Sequence, residues 1–217
     1  MPHVVDASDR ALLVVFDDAG GENAGSSVRI LHDWLRRERP AAVVDLHPAY
    51  ATLLVTYDPL LCDPVALAAE LDRRAGSLSG LPAPPSRSFV IPVRYGGADG
   101  PDLDDVARLT GLGVEELIAA HSGASYEVQF IGFSPGFPYL AGLPERLHTP
   151  RRDTPRKSVP AGSVAIAGAQ AGIYPVRSPG GWNVIGRTDL VLFDPAHAPG
   201  ATLSPGDRVR FEAVKTL

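Results

Sequence analysis

Residues 126–188 gather the side chains best suited to chemistry, in three blocks: YEVQFIGFSPGFPYLAGLPERL, then TPRRDTPRKSVPAGSVAIAGAQAGIYPVRSPGG, then WNVIGRT. Within the first block, Gly132-Phe133-Ser134-Pro135-Gly136 has the G-x-S-x-G spacing of a nucleophile elbow and follows a strand-like run. The residue after an elbow serine must donate its N–H to an oxyanion, and Pro135 has none. Gly136, Pro138 and Gly142 also interrupt the helix that should follow, so a serine hydrolase of this type is excluded. What remains over 133–139 is a rigid aromatic loop. Phe133, Phe137 and Tyr139 offer flat apolar contacts and Ser134 a hydroxyl, with barrel-plugging and surface presentation both open for the rings.

The second block reverses the local charge. Arg146, Arg151, Arg152, Arg156 and Lys157 stand close together and are opposed only by Glu145 and Asp153. Arginine's planar fork pairs carboxylate or phosphate in bidentate fashion. Pro150, Pro155 and Pro160 would fix the directions of these side chains, so an anionic substrate or an acidic partner patch competes with a plain solvated face. Gly172-Ile173-Tyr174-Pro175 and Ser178-Pro179-Gly180-Gly181-Trp182 read as turns over which a ligand or another backbone can approach closely. Gln170, Tyr174, Trp182, Arg187 and Thr188 bring polar tips beside them, and a shared pocket on one rim of a β scaffold is expected.

Other reactive types are explained more simply. His121 falls in a last helical turn, where it suits exposed carbonyls. Cys62 is the only cysteine, which rules out a disulfide within the chain and a thiolate metal cage, and it reads as a small residue before a helix start. No phosphate-loop, dinucleotide or H-E-x-x-H motif occurs.

The elements that must position these residues fall into two sets. Strands are expected over 11–16, 41–46 and 51–57, with a turn at 17–21, a helix from Asn23 ended by Pro40, and a hairpin at 47–50. A second helix starts at Asp63-Pro64, N-cap and N1 proline, and runs to Gly76. This β-α-β-β-α order lacks one strand of a split βαβ plan. Residues 89–95 either supply that strand or open the next domain. Asp102 is expected to cap a short helix ending at Gly111, with a second helix over 114–121. Short strands follow over 126–131, 163–167, 173–176, 183–186, 190–193 and 208–214, a texture that suggests a small β-barrel or sandwich. The expected domains are 1–80 (α+β), a linker over 81–87, and a barrel over 88–217.

At 217 residues, with 45% apolar and 21% charged residues, the chain can bury a real core. Its net charge of -5 supplies no global field toward nucleic acid or an anionic membrane. The N-terminus lacks a basic segment followed by an apolar core, and no apolar run approaches the ~20 residues of a spanning helix. A cytoplasmic location is the expectation.

The blocks EVQFIGFSPGFPYLAGLP, PR followed by TPR, VPAGSVAIAG with GIYP, and SPGGWNVIGRT with LFDP resemble a family that groups the 5-oxoprolinase B-type subunit, allophanate hydrolase subunit 1 and the sporulation kinase inhibitor KipI. The resemblance implies an α+β fold: a small ferredoxin-like (split βαβ) N-terminal domain and a cyclophilin-like β-barrel. It implies work with a related second subunit, of the 5-oxoprolinase C-type or the allophanate hydrolase subunit 2 type, and with a third in the 5-oxoprolinase case. There ATP is used by the complex to open 5-oxo-L-proline to L-glutamate, and no cofactor is expected on this chain. Carried over by position, the binding surface is Phe133, Ser134, Gly136, Phe137, Arg151, Thr154, Arg156, Gln170, Tyr174, Trp182 and Arg187. Arg152 stands where the family is commonly described with histidine or another residue. An amidohydrolase of the urea carboxylase type and a KipI-like kinase inhibitor are the alternative functions.

Overall fold

Apolar runs mark the first three predicted strands and apolar residues recur with helical spacing between them, so strands and helices can share one core. The structure is a computed structural model that describes residues 1–16, 22–196 and 200–214, and the turn expected over 17–21 lies outside them. The chain divides into two compact units, Met1–Pro85 and Ser86–Leu217.

The first unit contains β1 (His3–Ser8), β2 (Ala11–Val15), α1 (Glu22–Arg37), β3 (Val43–Pro48), β4 (Thr52–Tyr57) and α2 (Pro64–Gly76). Its antiparallel sheet has the order β1-β2-β4-β3. Strands β2 and β3, joined through α1, flank β4, which is the split βαβ arrangement. Leu12 and Val14 of β2, with Leu53 and Val55 of β4, face Val28, Leu31 and Leu35 of α1 and Leu67 and Leu71 of α2. Asp63 Oδ1 accepts from the N–H of Val65 at 3.0 Å, the expected cap of α2. The missing strand is β1, not 89–95. Its sequence HVVDAS is too polar to announce a strand, because an edge strand lying largely in solvent needs little apolar pattern.

The second unit begins with β5 (Ser88–Tyr95), α3 (Leu103–Thr110), α4 (Val114–Ser122), β6 (Tyr126–Ile131) and β7 (Pro138–Ala141). After a 3₁₀ turn at Glu145–Leu147 come β8 (Arg156–Val159), β9 (Ser163–Ala167), β10 (Gln170–Ile173), β11 (Ser178–Gly180), β12 (Asn183–Arg187) and β13 (Arg208–Ala213). Among the described residues, seven strands close into a barrel in the order β10-β7-β6-β13-β5-β12-β9, while β8 and β11 pair separately as a two-stranded ribbon. The α+β class with a small barrel therefore holds.

Several local expectations are corrected. The strand expected over 190–193 does not form; Phe193 alone makes an isolated bridge, to Ala201. The strand expected over 173–176 is Gln170–Ile173, since Pro175 can give no ladder hydrogen bond. The short strands β7, β8 and β11 have no counterpart among the expected ones, and two of them carry a proline. Gly111 closes α3 at φ 72 as expected, but Asp102 makes no side-chain cap. His121 does not cap carbonyls either: it is fully buried, with Nδ1 2.7 Å from the Tyr95 hydroxyl and its ring stacked on Phe211 at 4.6 Å. Burial pushes its pKa down to about 3.

Strand β9 is buried on both faces, and this decides where the site lies. Val164 and Ile166 join the barrel interior with Ile91, Val93, Val128, Leu140, Ile173 and Phe211. Ala165 and Ala167 point the other way, into a separate cluster with Phe137, Tyr174, Trp182 and Val184.

Candidate functional site

The outward residues of β9 and β12 are small, and two glycines clear the space above them. At Gly172 of β10 a Cβ would stand 2.8 Å from Phe137 Cζ, so only glycine lets that ring lie against the wall. Gly180 of β11 is closer still, where a Cβ would come within 2.2 Å of the Tyr174 hydroxyl. Phe137, almost fully buried, is the hub: edge-to-face contacts reach Tyr139 at 5.1 Å, Tyr174 at 5.2 Å, and Trp182 and Phe133 at 5.5 Å. Such geometry sets the negative face of one ring against the positive edge of the next.

Phe133 differs from the others. It is 61% exposed and holds φ 63, a left-handed conformation costly for a non-glycine residue. The strain in G-F-S-P-G therefore sits on Phe133 and not on the serine. Ser134 Oγ is buried without a hydrogen-bond partner among the described residues, so no base activates it.

Together these rings and the segment after Thr149 enclose a cleft of about 200 Å³, lined by Phe133, Phe137, Tyr139, Arg151, Arg152, Pro155, Tyr174, Gly180, Gly181 and Trp182. The arginine segment is pinned to β12 at two points: Asn183 Nδ2 donates to the Pro150 carbonyl at 2.8 Å, and the Arg152 N–H to the Gly181 carbonyl at 2.8 Å. Burial raises the phenol pKa values of Tyr139 and Tyr174, against the pull of Arg151 on both and of a hydrogen bond from the Trp182 backbone on Tyr174. Both are neutral hydroxyls at physiological pH.

Under the cleft sits Asp102, 1% exposed. Arg156 grips it with two bonds, Nη1 to Oδ2 and Nη2 to Oδ1, both 2.7 Å. Arg152 Nη1 donates to Oδ1 at 2.6 Å, and the Val184 N–H donates to Oδ2 at 2.7 Å. The Asp102 N–H returns a bond to the Val184 carbonyl at 2.9 Å. These hydrogen bonds hold Arg156 protonated more firmly than a free guanidinium. One carboxylate thus fastens the β8 ribbon strand, the arginine segment and β12 together.

A family model described as the carboxyltransferase domain, subdomain C and D, matches residues 2–203. The chain belongs to the carboxyltransferase subdomain C and D family. A protein from Bacillus subtilis named as the B subunit of 5-oxoprolinase is 36% identical to this family member over 94% of its length and 89% of the relative's. One of the same name from Escherichia coli O157:H7 is 58% identical over a stretch that spans 59% of each chain. Among solved structures, TTHA0988 is 39% identical with a TM-score of 0.83, covering 96% of this chain and 40% of that one. The Kluyveromyces lactis urea amidolyase has a TM-score of 0.76 at 20% identity, covering 99% of this chain and 15% of that one, and shares the fold.

Of the site residues expected for this carboxyltransferase-family chain, Phe133, Phe137, Arg151, Tyr174 and Trp182 meet in the cleft. The cleft lies on the outer wall of the barrel and not on a rim, because β9 turns its odd-numbered residues toward the aromatic cluster. Arg156, expected on the binding surface, is occupied by Asp102. Gly136 is a turn residue at φ 82 whose missing Cβ makes room for Phe193 Cβ and the Leu192 carbonyl. Thr154 is exposed beside the cleft, and Ser134 and Gln170 lie outside its lining. Arg187 is in register with Ser163 and Arg94, also outside the lining, and its buried Nε lacks a partner. The carried-over surface leaves out Arg152 and Gly180, and the sequence reads Asp102 only as a helix cap. The excess of basic residues over 146–157 was a signal that a remote carboxylate must balance them, but nothing in the chain said which.

Proposed function

We propose that this chain acts as the B-type subunit of an ATP-dependent 5-oxoprolinase, holding 5-oxo-L-proline in the outer-wall cleft while companion subunits complete the reaction. One observation carries the reading: a ring-sized cleft has five aromatic rings for walls and arginines on one side, matching a small flat lactam that bears a carboxylate. The curated relatives named as B subunits of 5-oxoprolinase point to the same chemistry. No aspartate, glutamate or histidine is among the described residues that line the cleft, and His121 is sealed inside the barrel. Opening the lactam and using ATP therefore fall to the related C-type subunit and a third subunit. A cytoplasmic location goes with this reading, because ATP is spent there.

The experiment is reconstitution. Glutamate release from 5-oxo-L-proline should require this chain, its companion subunits and ATP together. A complete set that releases none, or a set that releases as much with this chain left out, sinks the proposal.

A further inference from the structure

Arg152 is the residue of the cleft whose hydrogen bonding is incomplete. Its Nη1 is committed to Asp102, yet its Nε–H is buried and meets no acceptor among the described residues. A buried donor left unpaired is the costly case, so such a group marks a place where something else belongs. Arginine grips a carboxylate most strongly through two parallel N–H bonds, and Asp102 engages only Nη1 of Arg152, which leaves Nε and Nη2 without an acceptor among the described residues. Charge agrees with geometry. Two guanidiniums share the single Asp102 carboxylate, and Asp105, which also faces Arg156, is half exposed and paired with Arg108. No carboxylate is among the described residues that line the cleft. Arg151 also lines the cleft, but it is exposed and no hydrogen bond to the described residues fixes its direction.

We infer that Arg152, oriented by Asp102, is the anion receptor of the cleft, and that the site takes a small monoanionic carboxylate whose ring packs on Phe137, Tyr139 and Trp182. The inference rests on reading the cleft as the substrate site. It assigns the carboxylate of 5-oxo-L-proline to Arg152, and it makes Asp102 a positioning residue.

The test follows Trp182 fluorescence in a W34F background, for the chain alone and with its companion subunits. Three probes are titrated: 5-oxo-L-proline, cyclopentanecarboxylate and the uncharged lactam 2-pyrrolidinone. Both carboxylates should give saturable signals and the lactam none. R152Q and R152K should each weaken carboxylate binding by about tenfold or more, and R151Q by less than about threefold, with melting temperatures held. Because R152K keeps the charge, its loss isolates the fork. The inference is overturned if 2-pyrrolidinone binds like the carboxylates, if R152Q binds as the parent does, or if neither chain nor complex binds any carboxylate. Glutamate release is read separately: carboxylate binding without release would remove the 5-oxoprolinase reading and leave the receptor standing.

Discussion

Strand β9 separates two regions that are equally dry and differently built. On its inner side Val164 and Ile166 join a mainly aliphatic core, whose attraction is non-directional and proportional to the area removed from water. On its outer side Ala165 and Ala167 support rings held at fixed angles and a carboxylate shared by two arginines. Those contacts are directional, so they fix side chains in place more than they add stability. The interior holds the fold and the outer wall holds a shape. His121 marks the contrast: this histidine inside the barrel has been driven neutral by burial, whereas Arg156 outside is held charged by Asp102.

Substitutions should separate the two regions. Leu140→Ala on the inner side is expected to cost about 3 kcal/mol in a denaturant titration, with ligand affinity per folded molecule unchanged. Asp102→Ala should cost slightly less, about 2–3 kcal/mol, because Arg152 and Arg156 can recover some solvation at 32% and 27% exposure. Unlike Leu140→Ala, it should also abolish carboxylate binding. Equal effects of both variants on binding would erase the distinction.

A smaller effect follows from pH. His121 has a folded pKa of about 3 against an unfolded value of 6.5, so the unfolded chain binds the extra proton between those values. Stability is full above pH 6.5 and is lost as pH falls toward 3, by about 1 kcal/mol at pH 5.5 for this residue. His32 in the first unit, lowered to about 4 chiefly by burial, adds in the same direction. Denaturation midpoints at pH 7 and 5.5 should differ less in a His121→Phe variant; an unaltered difference would rule out this source. The smallest change in stability is expected from Phe133→Gly. Relief of the positive φ offsets the lost ring contacts to within about 1 kcal/mol. Binding measured by fluorescence should nonetheless weaken, since Phe133 walls the cleft.

Much of the fold was legible because local signals and burial agree. Asp63-Pro64 starts α2, Gly111 closes α3, and the apolar runs of β2 and β4 pack into the core. Edge elements were not legible. β1, β8 and β11 are polar or carry proline, and their strand form comes from a partner's ladder, not from their own residues. In the site, the aromatic loop and the arginine segment announced themselves by composition. Asp102 did not, because an aspartate before a helix reads as a cap whether or not its side chain turns away.

By itself, then, the sequence determined which residue types the site contains, where proline and glycine stiffen the chain around them, and that Pro135 forbids a serine elbow. The tertiary structure decided which of these residues act together. It placed the cleft on the outer wall through the alternation of β9, spent Arg156 on Asp102, and left Nε of Arg152 without a partner among the described residues. The physical reason is range: propensity, turns and caps are fixed within a few residues. The hydrogen bonds that aim Arg152 and Arg156 join residues about 50 positions apart and exist only once the barrel has closed.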